Sequence, residues 1–292
     1  MGGFLTNVLL PVALGVIMLG LGLSLTIADF RRILDYPRAV FVGLLCQVVL
    51  LPAACFALAR AFALPPELAV GLMLLAASPG GATANLFSHL ARGDVALNIT
   101  LTAVNSLLSI VTLPLIVELS LQAFLSQEQR VPLQVDKAIQ VLVIILLPAA
   151  IGRAVRSRKR ALADRLERPV RGLSAGFLVL VILATVLKER ANLVDYFQQV
   201  GVAALTFNLI SLGVGYLVPR LLAVPRRQAI AVGMEIGIHN GTLAIAVATT
   251  VLASTAMAIP AAIYSLIMFF TAAAFGAFLA RYAQEEAVTE GA

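Results

Sequence analysis

Gly233-Met234-Glu235-Ile236-Gly237-Ile238-His239-Asn240-Gly241-Thr242 sits inside an apolar run at about 227–252. An acid, an imidazole, an amide and three glycines occupy what would otherwise be a lipid-facing helix. Irregular backbone at membrane depth survives only where protein or a watery cavity satisfies it. The stretch therefore reads as a helix broken inside a bilayer. A second stretch answers it: Leu75-Ala76-Ala77-Ser78-Pro79-Gly80-Gly81-Ala82-Thr83-Ala84-Asn85. Pro79 removes a donor and disfavours helix at Ser78, and the paired glycines permit non-helical torsions.

Composition supports the bilayer. Of 292 residues, 61% are hydrophobic and 12% charged, too little charge to cover a soluble domain of this length. Nine apolar segments of spanning length follow one another, at about 4–28, 39–62, 67–91, 94–119, 137–156, 170–188, 198–222, 227–252 and 256–281. The fold class expected is an all-α integral membrane protein of nine spans, one transmembrane unit over residues 1–292. The stretch before Arg31 is too long for a signal-peptide core and is read as the first span.

The net charge of +6 could point to nucleic acid, but the basic residues fall in the short loops between spans. With the amino terminus outside, 16 of the 21 Lys and Arg residues lie on the cytoplasmic side. The exceptions are Arg60, Arg130, Lys137, Lys188 and Arg190. That asymmetry follows the positive-inside rule and places the carboxy terminus in the cytoplasm of a cell (inner) membrane protein. The lipid bilayer is a partner and nucleic acid is not. Cys46 and Cys55 share one apolar run and fit small core residues rather than a disulfide or metal framework.

The broken spans are each next to last in their group, the third of spans 1–4 and the eighth overall. Interrupted segments at corresponding places in two halves mark a transporter site and an inverted repeat. Glu235 is an acid at mid-membrane, where no Lys or Arg lies at similar depth. Such a group needs a cation, a proton or a basic side chain as partner. Asn98, Thr102, Asn105 and Ser109 recur at helical spacing on one face, with Ser106 beside them and Asn85 at the other break. Singly, such residues usually bond neighbouring helices. With Glu235 they form an oxygen-rich set suited to a hard cation, with Gln47 a weaker member. Half-helices starting near Gly81 and Gly241 would point N–H groups at an anionic substrate. His89 reads as an interfacial residue. No nucleophile elbow, phosphate loop or zinc signature appears, so neither enzyme chemistry nor a cofactor is expected.

At these residues the sequence resembles the bile acid:sodium symporter family. The resemblance runs through nearly the whole chain. It is carried by Gly20-Leu21-Gly22-Leu23-Ser24-Leu25 with Asp29-Phe30, by Pro79-Gly80-Gly81 through Asn85, by Leu90-Ala91-Arg92-Gly93-Asp94-Val95-Ala96-Leu97, and by Glu235-Ile236-Gly237-Ile238-His239-Asn240. The resemblance implies a core domain with two crossing discontinuous helices, here about 39–119 and 198–281. A panel would take about 4–28 and 137–188. It also implies the nine-helix form of a bacterial member, with alternating access between the two parts. By motif position, one sodium site would use Asn85, Asn98, Thr102 and Glu235. A second would use Gln47, Glu235, His239 and the carbonyls of Ile236 and Ile238. Ala82, Thr83, Asn240, Gly241 and Thr242 would line the substrate site. Two positions depart from the family pattern: Ala84 replaces a common serine ligand, and His239 a common glutamine. The function implied is sodium-coupled symport of an organic anion, bile acid-like or a small carboxylate such as pantoate or a keto acid. Proton coupling through Glu235 and His239 is the alternative, ahead of a passive channel or a membrane enzyme.

Overall fold

A computed structural model describes residues 10–24, 26–81, 83–125, 135–166 and 193–290, together with 169, 170, 172, 173 and 176. The span expected at 170–188, residues 4–9 of the first span and Ala82 fall wholly or largely outside the described residues. Among those described, the structure is helical apart from one isolated bridge. Helix α1 covers Leu10–Ser24, and α2, Ile27–Arg31, is a short turn beside it. Then come α3 (Pro37–Ala61), α4 (Pro66–Ala77), α5 (Thr83–Leu90), α6 (Val95–Phe124) and α7 (Val135–Arg158). Helices α8 (Leu193–Leu221), α9 (Arg226–Gly237), α10 (Gly241–Thr250) and α11 (Ile259–Glu290) complete the order.

Four stretches, Pro37–Ala61, Val95–Phe124, Val194–Leu221 and Ala256–Leu279, are long and apolar enough to cross a membrane. At most 50% of each apolar window is buried inside the protein, so the rest faces outward. Helix α6 shows why this surface belongs in lipid. Leu107, Val111, Leu115 and Leu119 form an exposed stripe at fourfold spacing, while Asn98, Thr102, Asn105 and Ser109 are buried on the other side. A water-soluble helix would carry the reverse arrangement. This is a multi-pass membrane protein.

Both interrupted segments are observed, in helices that cannot span alone. Helix α4 has 12 residues, about 18 Å at 1.5 Å per residue, short of a ~30 Å hydrocarbon core. Its continuation α5 adds 8 residues after the break. Helix α9 likewise has 12 residues, and α10 adds 10. Their entries also match. Pro65 and Pro225 precede the first turns, and Ala63 (φ 47°) and Ala223 (φ 55°) sit two residues earlier in the left-handed region. Proline pre-sets the helical φ and has no N–H to leave unpaired at a helix start.

Helix α3 is not a regular helix. A π-turn at Cys46–Leu50 interrupts it, and Leu51 N–H bonds back to the Cys46 carbonyl. Pro52 follows at once. Its ring crowds the carbonyl four residues back, and a widened turn relieves that clash. Helix α1 packs chiefly along α7, where the missing side chains of Gly22 and Gly152 let the backbones touch. The Asp29-Phe30 motif has a structural role. Thr26 and Asp29 form a reciprocal capping box for α2, and Arg153 of α7 stacks over Phe30 at 5.3 Å.

Candidate functional site

The two breaks meet. Gly81 N–H donates to the Ile238 carbonyl at 2.8 Å, and Asn240 N–H donates to the Pro79 carbonyl at 2.8 Å. Gly80 and His239 lie opposite each other as an antiparallel pair. Each break thus satisfies part of the other's backbone, as a low-dielectric setting demands. Gly80 and Gly81 lie in the non-helical break, and among the described residues no glycine has a positive φ. Close approach adds a requirement at Gly80: a Cβ there would lie 2.3 Å from the Glu235 carboxyl carbon.

Glu235 projects from the last turn of α9 and is fully buried. Thr102 donates its hydroxyl to one carboxylate oxygen at 2.5 Å, and Asn105 Nδ2 approaches the other at 3.4 Å. Asn98 Nδ2 donates to the Ala231 carbonyl of α9 at 2.7 Å. The polar face of α6 therefore meets the acid of α9 as the spacing predicts. Among the described residues neither ion pair involves Glu235. Among the described residues, the buried oxygens Asn98 Oδ1, Asn105 Oδ1, Ser106 Oγ and Gln47 Oε1 have no hydrogen-bond partner. Leaving such a group unpaired costs ~1–3 kcal/mol. These are hard oxygens, the ligand type that hard cations take. No cluster of three His, Cys, Asp or Glu side chains occurs among the described residues.

The other proposed ligands are placed as follows. Gln47, on the π-turn, donates Nε2 to the carbonyls of Ala76 at 3.1 Å and Ser78 at 3.0 Å. His239 Nδ1 lies 3.1 Å from the same Ser78 carbonyl. A carbonyl only accepts, so Nδ1 carries the proton there and Nε2 is the acceptor, buried and unpaired. The imidazole is stacked on Phe207 (centroids 5.7 Å, planes 11° apart) and flanked by Tyr264 at 5.4 Å. It is thus tied to the Ser78 break rather than to Glu235. The Ile238 carbonyl already accepts from Gly81. Asn85 is half-buried on α5, and Ser109 turns its hydroxyl to the Ser106 carbonyl at 2.8 Å. Ala84 is fully buried and its methyl offers no ligand. Of the substrate-lining set, Thr83 is exposed, Gly241 buried and Thr242 half-buried. The Asn240 side chain caps α10 by accepting from Leu243 N–H at 3.0 Å. His89 is exposed, as an interfacial residue would be.

The sodium bile acid symporter family model matches residues 11–196. The chain belongs to this family. A Bacillus subtilis relative named "Uncharacterized sodium-dependent transporter YocS" is 31% identical, covering 88% of this chain and 78% of its own. The Arabidopsis thaliana "Probable sodium/metabolite cotransporter BASS1, chloroplastic" is 26% identical over 87% of this chain and 62% of its own. A rabbit "Ileal sodium/bile acid cotransporter" is 25% identical over 81% of this chain and 68% of its own. These relatives are named as transporters rather than enzymes, and the chain belongs to a family of sodium-dependent transporters.

Three buried residues around the breaks escaped the sequence reading, Phe207 and Asn208 on α8 and Tyr264 on α11, as did the half-buried Thr271 on α11. Asn208 Nδ2 and Tyr264 Oη both donate to the Gly237 carbonyl, at 3.0 and 2.9 Å. Asn208 was within reach of the argument applied to Glu235, since an amide in mid-span needs a partner. Tyr264 carried no such signal, because tyrosine is common near span ends.

Proposed function

We propose that this chain is a secondary active transporter that carries an organic anion together with Na⁺ by alternating access. The observation that carries the reading is Glu235, a buried acid at the meeting point of two helix breaks, held by Thr102 and Asn105 of α6, the helix that also carries the unpaired Asn98 and Asn105 oxygens. Na⁺ binding there would involve Asn98, Thr102 and Glu235, with Asn85 from the neighbouring break. Gln47 Oε1 and the Ile236 carbonyl are the best remaining ligands for a second ion. Family membership supports sodium coupling. The proton alternative has less support, because among the described residues no hydrogen bond joins His239 to Glu235.

The substrate class proposed is an organic anion, bile acid-like or a small carboxylate. Helices α5 and α10 begin at the crossing, and their N-terminal dipoles favour a carboxylate near Thr83, Asn240, Gly241 and Thr242. Nine spans in inverted repeats remain our architecture. The matched 12-residue lengths of α4 and α9 and their prolyl entries support it. A panel of α1 and α7 moving against a core with both breaks is supported by the close α1–α7 packing. The charge asymmetry supports an external amino terminus.

Proteoliposome uptake of a panel of organic anions, driven by an inward Na⁺ gradient, tests the reading. Concentrative uptake in Na⁺ but not K⁺, abolished by Glu235→Ala, is expected. Uptake indifferent to Na⁺ in the unaltered protein overturns it.

A further inference from the structure

Helix α9 ends inside the protein, so its last carbonyls need donors from elsewhere. The Gly237 carbonyl receives two, from different helices: Asn208 Nδ2 on α8 at 3.0 Å and the Tyr264 hydroxyl on α11 at 2.9 Å. Asn208 and Tyr264 are both fully buried. Asn208 is itself held, because Thr271 of α11 donates its hydroxyl to Asn208 Oδ1. Tyr264 is held by its ring, which packs against Phe207 at 5.8 Å and His239 at 5.4 Å.

The other broken helix has the same device. Gln47, on the helix that precedes α4, donates to the carbonyl end of α4 at Ala76 and Ser78. Asn208, on the helix that precedes α9, donates to the carbonyl end of α9. Donor and acceptor are 29 residues apart in both, Gln47 to Ala76 and Asn208 to Gly237. The two amides differ at the oxygen. Gln47 Oε1 is buried without a partner, whereas Asn208 Oδ1 is occupied by Thr271. Gln47 can both hold the helix end and offer an oxygen to an ion. Asn208 can only hold the helix end.

We infer that Asn208 and Tyr264 are positioning residues of the cation site: by clamping the Gly237 carbonyl they fix the last turn of α9, and with it the Glu235 carboxylate and the Ile236 carbonyl. The inference rests on the sodium reading proposed above. Neither side chain touches the ion or the organic anion. Their loss acts through the placement of Glu235, so it weakens Na⁺ binding more than it slows transport at saturating Na⁺.

The test uses the full chain in proteoliposomes and in detergent, with Tyr264→Phe, Asn208→Leu and the double variant. Tyr264→Phe removes one hydroxyl and keeps the ring, so it isolates the hydrogen bond. The Na⁺ concentration for half-maximal uptake should rise about three- to tenfold for each single variant, the range of one lost hydrogen bond. The rate at saturating Na⁺ should change less than that. In detergent, the Na⁺-specific gain in Tm over K⁺ should shrink in the same order, with the double variant lowest. This reports on binding even where transport is too weak to measure. An unchanged Na⁺ requirement, with Tm lowered equally in Na⁺ and K⁺, overturns the inference and leaves the sodium reading standing. Unaltered protein that neither needs Na⁺ nor is stabilised by it overturns the sodium reading, and this inference with it.

Discussion

Helix α4 stops at Ala77 because Pro79 has no N–H to return to Leu75 and pushes Ser78 into extended backbone (ψ 140°). Helix α9 stops at Gly237 with no proline near it. There the ending is imposed from outside. Asn208 and Tyr264 take the Gly237 carbonyl, Asn240 N–H turns to Pro79, and the Asn240 side chain caps α10. Both helix ends take outside donors, Gln47 at α4 and Asn208 with Tyr264 at α9, but only α4 also carries a local stop, in Pro79. They also divide the chemistry. The proline-determined break supplies backbone, with Gly80 leaving room for an acid. The break held only by neighbours carries that acid and the imidazole.

The sharpest way to break this contrast is at the acid. Glu235→Ala should lower Na⁺-driven uptake by at least about 100-fold, since removing one member of a buried charged network costs ~3–5 kcal/mol. Retained Na⁺-driven uptake would place the ion elsewhere. Next comes the space beneath it. Gly80→Ala puts a Cβ 2.3 Å from the carboxyl carbon of Glu235, whereas at Gly81 the nearest atom is 3.4 Å away. Gly80→Ala should therefore destabilise by ~1–3 kcal/mol and raise the Na⁺ requirement. Gly81→Ala should lower Tm far less, and equal Tm losses would refute the division of roles. Thr102→Val keeps the volume and removes the donor to Glu235, and should raise the Na⁺ for half-maximal uptake by about tenfold. The smallest effect is expected at Pro79→Ala. The Gly81–Ile238 and Asn240–Pro79 bonds still hold the crossing open, so Tm should change by less than the Gly80→Ala effect. A large Tm gain, with loss of uptake, would mean that the helix closes once the proline is gone.

Much of the site was legible in the residues themselves. An acid at membrane depth calls for a partner, and helical spacing put Asn98, Thr102 and Asn105 on one face. That face does meet Glu235. What spacing could not reveal was direction. His239, four residues after Glu235, would share its face on an unbroken helix, yet the break turns it to Ser78 and between Phe207 and Tyr264. Gln47 was visible as a polar residue in mid-span, but not the π-turn that aims it. The glycines were visible as breakers, but not that Gly80 leaves the space the Glu235 carboxylate fills.

By itself, the sequence determined the solvent, the helical class, the local stop at Pro79 and the need of Glu235 for a partner. Each follows from composition, from period or from the geometry of one residue. Only the tertiary structure decided which carbonyl meets which donor. The Gly80–His239 pairing, the clamp on Gly237 and the closeness of Gly80 to Glu235 all join residues more than 25 positions apart. Hydrogen bonds are short-ranged and directional, so contacts of that kind follow from how the helices pack and not from the order of residues along any one of them.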